Sequence, residues 1–306
     1  MAPLHVRSLR PGEDAAWFAV RVPRNGVVTA FTSAPGFRSD AHLLAERDGA
    51  PVGRMESLLL EPHEATLVHP LVADSADFEV VTDALVKEGL RVAAALDVAE
   101  IELLIMESMP RSDELRARAA GWGFVPHQSK AFYRAPVADV RWELAALPSG
   151  LAFRSATSED DPRLVAALGR VLRGSWEDDR DPAAHLKSYV TRCRADGCLH
   201  VDDWETLEDP SGPLGVVIPA LADASHEVGT NFYVGLVPEA RGRGLGAAIH
   251  LRGLATLRDR GAKRFIGSTD LRNTPMRRVF ENVGYAQGTQ QHILRLARRE
   301  RPVAAP

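Results

Sequence analysis

The chain has 306 residues, room for two domains at roughly 150 residues each, and its 45% hydrophobic and 25% charged residues exclude a mainly disordered polypeptide. With 37 Lys and Arg against 41 Asp and Glu, a formal charge of -4, it lacks the chain-wide basic field that grips nucleic acid. No apolar run nears the ~18 residues of a membrane helix, Met1 to Asp14 lacks the apolar core of a signal peptide, and 2 cysteines are too few for a disulfide scaffold; a cytoplasmic protein is expected.

In chain order, Val6-Arg7-Ser8 reads as a short strand, Pro11-Gly12 as a turn, and Glu13-Asp14 as an acidic helix start suited to the positive end of the helix dipole. Leu43 to Glu46, Asp48-Gly49 and Pro51 to Met55 predict a hairpin. A closing helix, Gly123-Phe124 and a last strand follow. The same order then returns. Phe153-Arg154-Ser155 leads to Asp160-Asp161 and a helix; Leu199 to Trp204 and Leu214 to Ile218 flank a longer loop through Ser211-Gly212; Gly284-Tyr285 precedes a final strand. Between the copies, Ala135-Pro136 to Leu147-Pro148-Ser149-Gly150 reads as a connector. The expectation is two α/β units built on mixed sheets, 1–138 and 151–306, joined by a linker at 139–150.

Chemistry concentrates in the second copy. Asn231 to Val237 is a strand by composition, and Pro238 ends it. Arg241-Gly242-Arg243-Gly244-Leu245-Gly246 then opens a helix with an apolar stripe of Ala248, Leu251, Leu254 and Ala255, closed by Gly261. A strand–glycine turn–helix junction aims unpaired backbone N–H groups and a helix dipole at one spot, and Arg241 and Arg243 add charge. The pattern predicts a phosphate or pyrophosphate site. It is not a P-loop, because Gly246 is followed by Ala247-Ala248 rather than Lys-Ser/Thr, and its glycine spacing is wrong for a dinucleotide fingerprint.

Arg264 to Thr269 reads as the next strand, and Asn273-Thr274-Pro275 starts a short capped helix ending near Gly284-Tyr285. Strand, Arg-x-x-Gly-x-Gly, helix, strand, Asn, short helix and Gly-aromatic in this order resemble the GNAT (Gcn5-related N-acetyltransferase) superfamily. The resemblance implies two tandem GNAT-like domains that use acetyl-CoA or another short acyl-CoA. Its pyrophosphate would lie on Arg241, Gly242, Arg243, Gly244, Leu245, Gly246 and Ala247. The pantetheine would pair with the main chain of Leu236 and Val237, and Asn273, Met276 and Phe280 would complete the cofactor surface. The implied reaction is direct acyl transfer to an amine, with a small-molecule amine as first expectation and a protein or peptide amine as second. A non-catalytic acyl-CoA-binding module is the rival of a different class.

Two positions depart from the family pattern. Phe280 stands where many members have a tyrosine acid, and Thr230 where many have a glutamate base. The nearest substitutes are Glu227, Tyr233 and Tyr285, with His226 and Asp270 behind them. In the first copy, Ala73-Asp74-Ser75-Ala76-Asp77-Phe78-Glu79 stands at the phosphate turn and Ser112 at the position of Asn273. Acids there repel phosphate, so one working cofactor site is expected, in the second copy. The acidic run 177–181 suits a cationic acceptor amine. The Cys193, Cys198, His200 and His185 spacing is too loose for zinc, so no metal is expected. The basic tail from Arg295 to Arg301 reads as a solvated terminus, and a homodimer is compatible with the sequence.

Overall fold

A computed structural model describes residues 2–20, 39–60, 64–73, 77–95, 98, 100–175, 181–183, 186–187, 190, 200–221 and 227–296. The chain forms two compact units, residues 1–129 with 289–306, and residues 130–288.

In the first unit, β1 (Leu4–Ser8), β2 (His42–Arg47), β3 (Ala50–Leu60) and β4 (Glu64–Val72) are antiparallel neighbours. The predicted hairpin is present: Asp48 and Gly49 both have positive φ (50° and 74°), the turn that matches strand twist. β5 (Glu100–Met106) runs parallel to β4 after the crossover helix α2 (Phe78–Ala95), and α1 (Asp14–Ala19) and α3 (Ser112–Ala119) complete the helices described there. α2 buries Phe78, Val81, Leu85, Val86 and Ala93, a stripe at helical spacing, in one cluster with Leu43, Met55, Leu67, Leu103 and Ile105. The last strand of this sheet is residues 289–296, antiparallel to β5 with Gln291 opposite Met106 and Arg295 opposite Glu102.

The second unit repeats the plan. β6 (Phe124–Pro136) gives it residues 130–136, and β7 (Ala152–Ser155), β8 (Glu205–Asp209), β9 (Gly212–Leu221), β10 (Val228–Leu236) and β11 (Arg264–Asp270) follow. Its sheet order is β7-β8-β9-β10-β11-β6, with β10 and β11 parallel and the other pairs antiparallel. α4 (Pro162–Leu172), α5 (Gly246–Asp259) and α6 (Thr274–Asn282) pack on it, and β12 (Ala286–Leu296) is the source of the strand in the first unit. Asp161 makes the acidic helix start concrete: its Oδ1 accepts from Arg163 N (2.8 Å), with Pro162 in the first turn.

Two details differ from the sequence expectation. β8 begins at Glu205: of the expected Leu199 to Trp204, Leu199 lies outside the described residues and Val201–Asp203 is a 3-10 turn, and the Glu205 carboxylate is anchored by Arg252 of α5 (2.6 and 2.7 Å). The 139–150 stretch does not divide the units. Val137 N donates to Lys263 O (2.9 Å), Arg141 N to Val283 O (3.0 Å), and the Trp142 ring lies edge-on to Phe265, which docks this stretch on the second unit. The division falls instead where each copy's closing strand leaves to pair in the other unit's sheet.

Leu294 is 5% exposed, in one cluster with Leu103, Ile105 and Phe124. Leu294→Ala should destabilise the first unit by about 2–5 kcal/mol and speed amide exchange in residues 100–106, read by urea unfolding with hydrogen exchange. Faster exchange in residues 264–270 instead would contradict the strand exchange.

Candidate functional site

The site begins with a strand that changes face. β10 carries a bulge: Asn231 lies opposite Pro219 but Tyr233 opposite Ile218, so Phe232 is an extra residue. Ahead of it, Gly229 and Asn231 face α5, touching Leu257 and Gly253. Beyond it, alternation is reversed. Gly235 backs onto Val171 of α4, Tyr233 shares that side, and Leu236 meets Ile249 of α5 over Gly215.

β10 and β11 pair at Val228–Arg264 and Gly229–Phe265 and then part. Both stay zipped on their outer edges, β10 to β9 as far as Leu236 and β11 to residues 130–136 as far as Asp270. A wedge therefore opens between them. Val237 N donates to Leu214 O (2.9 Å), so the amides at positions 233, 235 and 237 face β9, while the Val234 backbone groups and the Leu236 N–H turn toward the wedge. Of the two expected main-chain positions, the Leu236 N–H faces the wedge and the Val237 amide is bonded to Leu214 O; Val234, which the sequence does not single out, faces the wedge beside Leu236.

At the wide end, Gly242 and Gly244 have φ of 75° and 79°, and a Cβ on either would meet nothing within 4 Å. α5 starts at Gly246 with no side-chain cap, and Leu245 is buried, so the first-turn amides of Gly246 and Ala247 are left to whatever lies before them. Arg243 is exposed beside this nest. Arg241 is not part of it. Its guanidinium donates to Leu236 O (3.1 Å), Val171 O (2.9 Å) and Arg173 O (3.0 Å), tying the turn to the end of α4. Asn273 caps α6, its Oδ1 accepting from Met276 N (3.2 Å); both residues are half-buried.

The remaining expected site residues scatter. Phe280 is 3% exposed and sits in an aromatic cluster with Tyr133 (4.8 Å), His250 (5.3 Å) and Tyr285 (5.2 Å, stacked), so it packs the core rather than a cofactor surface. Tyr285 is also buried, its Oη 3.3 Å from His250 Nε2, and burial pushes its hydroxyl well above the usual phenol range, which makes it a weaker acid held inside the core. Glu227 ion-pairs with Lys263 at the closed end of the wedge, nine residues of strand from Leu236, or ~30 Å. Asp270 receives Arg272 N (2.7 Å) and Nη2 (2.7 Å). Tyr233 alone of the three expected catalytic side chains lies at the bulge. Of the acidic run only Asp181 is described, and His226, Cys193, Cys198, His185 and the tail beyond Leu296 lie outside the described residues.

Sequence reasoning missed Tyr133, which came with the wrong copy, and the pair Asn231–His250. The available signal was a histidine inside the apolar stripe of α5.

The corresponding place in the first unit is filled from within. β4 and β5 stay paired over five positions, Glu64–Glu100 to Val68–Leu104. Directly after, the buried His69 ring accepts from Met106 N at Nδ1 (3.3 Å) and donates from Nε2 to Pro110 O (3.1 Å). Desolvation lowers its pKa and keeps it neutral. Asp77 pairs with Arg47 (2.9 Å), and the Arg111 guanidinium covers Phe78 at 3.9 Å; residues 74–76 lie outside the described residues.

Known proteins resemble this chain in sequence and in fold. Residues 162–285 match the acetyltransferase (GNAT) family model. A mycothiol acetyltransferase of Thermobispora bispora is 28% identical over 91% of this chain and 94% of its own length. A GCN5-related N-acetyltransferase from Sphaerobacter thermophilus has a TM-score of 0.69 at 15% identity, covering 96% of each chain. A tandem GNAT protein from the clavulanic acid biosynthesis pathway has a TM-score of 0.62 at 15% identity, covering 96% of this chain and 98% of its own. Residues 162–285 thus carry a GNAT acetyltransferase domain, and the chain as a whole shares the fold of tandem GNAT proteins.

Proposed function

We propose that the second unit transfers an acetyl group from acetyl-CoA to the amine of a small molecule. GNAT proteins in general use acetyl-CoA. The observation that carries the reading is the wedge between β10 and β11, lined by the Val234 backbone groups and the Leu236 N–H and ending on an uncapped helix start. The donor's parts fit it: an extended pantetheine amide chain matches unpaired strand edges, and a pyrophosphate matches the Gly242 to Ala247 nest. The Asn273 side-chain amide nitrogen is left to donate, since its Oδ1 caps α6.

When bound, acetyl-CoA supplies the thioester that the amine attacks. The Val234 and Leu236 N–H groups hold pantetheine and steady the carbonyl oxygen as it gains charge. The amine must attack unprotonated, so a proton has to leave. With Glu227 paired far away and Tyr285 sealed in the core, Tyr233 is the proton-handling group, on the α4 side of β10. Because a thiol of pKa ~8.5 is a tolerable leaving group, one hydroxyl relaying through water is enough. The acceptor of the mycothiol acetyltransferases is the first amine to try, given the 28% identity over most of both chains.

Thiol release from acetyl-CoA over an amine panel tests the reading; tight binding without release for any amine would favour a binding module. Tyr233→Phe should lower kcat by about 100-fold with acetyl-CoA affinity nearly unchanged; an unaltered kcat removes Tyr233 from the mechanism. Gly244→Glu puts a carboxylate into the nest and should weaken acetyl-CoA binding at least tenfold, ~1.4 kcal/mol, without unfolding the unit. Calorimetry should count one acetyl-CoA per chain, since His69 fills the first unit's counterpart; a ratio of two would overturn that.

A further inference from the structure

His250 lies on α5 one turn beyond Gly246, is 2% exposed, and takes no part in the steps above. Three elements of the second unit nevertheless meet at its ring. Asn231, where the β10 bulge starts, donates from Nδ2 to His250 Nδ1 (3.0 Å) and to the His250 carbonyl oxygen (2.9 Å). A carbonyl oxygen only accepts, so the amide nitrogen must face it, which orients Asn231 and makes Nδ1 an acceptor. The ring hydrogen then sits on Nε2 and is donated to Tyr285 Oη (3.3 Å), just past the end of α6. Burial lowers the pKa of the ring to about 3, which favours the neutral form that this donor and acceptor pattern requires.

The arrangement is specific to Asn231. A Cβ at Gly253 would overlap its Oδ1, and that oxygen is buried with no hydrogen-bond partner among the described residues. A bulge needing only bulk would be held by an apolar side chain without that penalty. What the polar anchor adds is direction, fixing Asn231 on the α5 face so that the residues after Phe232 take the opposite alternation.

We infer that His250 is a positioning residue: its Nδ1 ties the β10 bulge to α5 and so keeps the Val234 and Leu236 amides in register with the phosphate nest one helical turn from its ring. The inference rests on the acetyl-transfer reading. Diphosphate and thioester are held by different elements, α5 and β10, and a ligand of fixed span senses any slip between them at its reacting end first.

His250→Asn keeps an acceptor where Nδ1 was, whereas His250→Gln withdraws it and keeps a polar group near Nε2. With carbonyl-13C acetyl-CoA as probe, the Asn variant should show the wild-type bound carbonyl resonance. In the Gln variant it should move back toward the free value, with kcat at least about tenfold lower and affinity by calorimetry within about threefold of wild type. Asn231→Ala removes the same bond together with the one to the His250 carbonyl oxygen and should shift the resonance at least as far as the Gln variant. Equal resonances in the Asn and Gln variants, or an unchanged resonance in Asn231→Ala should neither His250 variant fold, overturn the inference alone. A wild type that binds no acetyl-CoA overturns the acetyl-transfer reading and this inference with it.

Discussion

The second unit is organised by two parallel strands that part after two paired positions, each held on its outer edge by an antiparallel neighbour. Backbone groups without partners are costly when water is excluded, so a wedge inside a sheet invites completion. The two copies complete it differently. In the first, β4 and β5 stay together for longer and the His69 ring then bonds the next β5 amide. In the second, no described strand bridges Val234 and the Leu236 N–H to β11, and the proposed pantetheine, extended and with amides of its own, matches that edge.

The anion end obeys the same logic. Its positive character comes from first-turn amides and from glycines that leave the backbone bare, not from the arginine opening the motif. Arg241 stabilises the turn by bonding three carbonyl oxygens, including two at the end of α4. Guanidinium groups suit that task because their donors form a planar fork and stay charged. A lysine there would keep the charge and lose the brace. Backbone dipoles need no reorganisation to meet a diphosphate, and Arg243, exposed beside them, adds field without blocking access.

What could be read in the sequence was whatever depends on local spacing. The hairpin at Asp48-Gly49, the Asp161 and Asn273 caps and the glycine turn are fixed within a few residues of themselves, and each is where its residues indicate. Strand exchange is different. Residues 130–136 and 289–296 both follow a Gly-aromatic pair in equivalent places, and nothing local in either strand says which β5-like edge it joins. Tyr133 was hidden for that reason: it follows the first copy in sequence yet packs on Phe280 and receives Arg277 (3.1 Å) in the second unit. Side-chain direction is equally opaque. Phe280 and Tyr285 look like cofactor and catalytic residues by position, and packing against each other, His250 and Gly267 of β11 makes both core.

The bulge also bears on the missing acid and base. One extra residue at Phe232 sends Tyr233 to the α4 side and Asn231 to the α5 side, so polar groups two positions apart serve opposite faces of a single strand. In the proposed reaction, proton handling and positioning are thereby separated. A hydroxyl on the α4 face can be exchanged for another group, or dispensed with for an acceptor of low basicity, without disturbing the Asn231–His250 anchor behind the sheet. A glutamate at Thr230, ahead of the bulge, would lack that independence, because its placement would depend directly on the segment the anchor holds. The departures from the common pattern at Thr230 and Phe280 therefore fit one arrangement, in which the face behind the strand is given over to holding its shape and chemistry is left to the wedge and the α4 side.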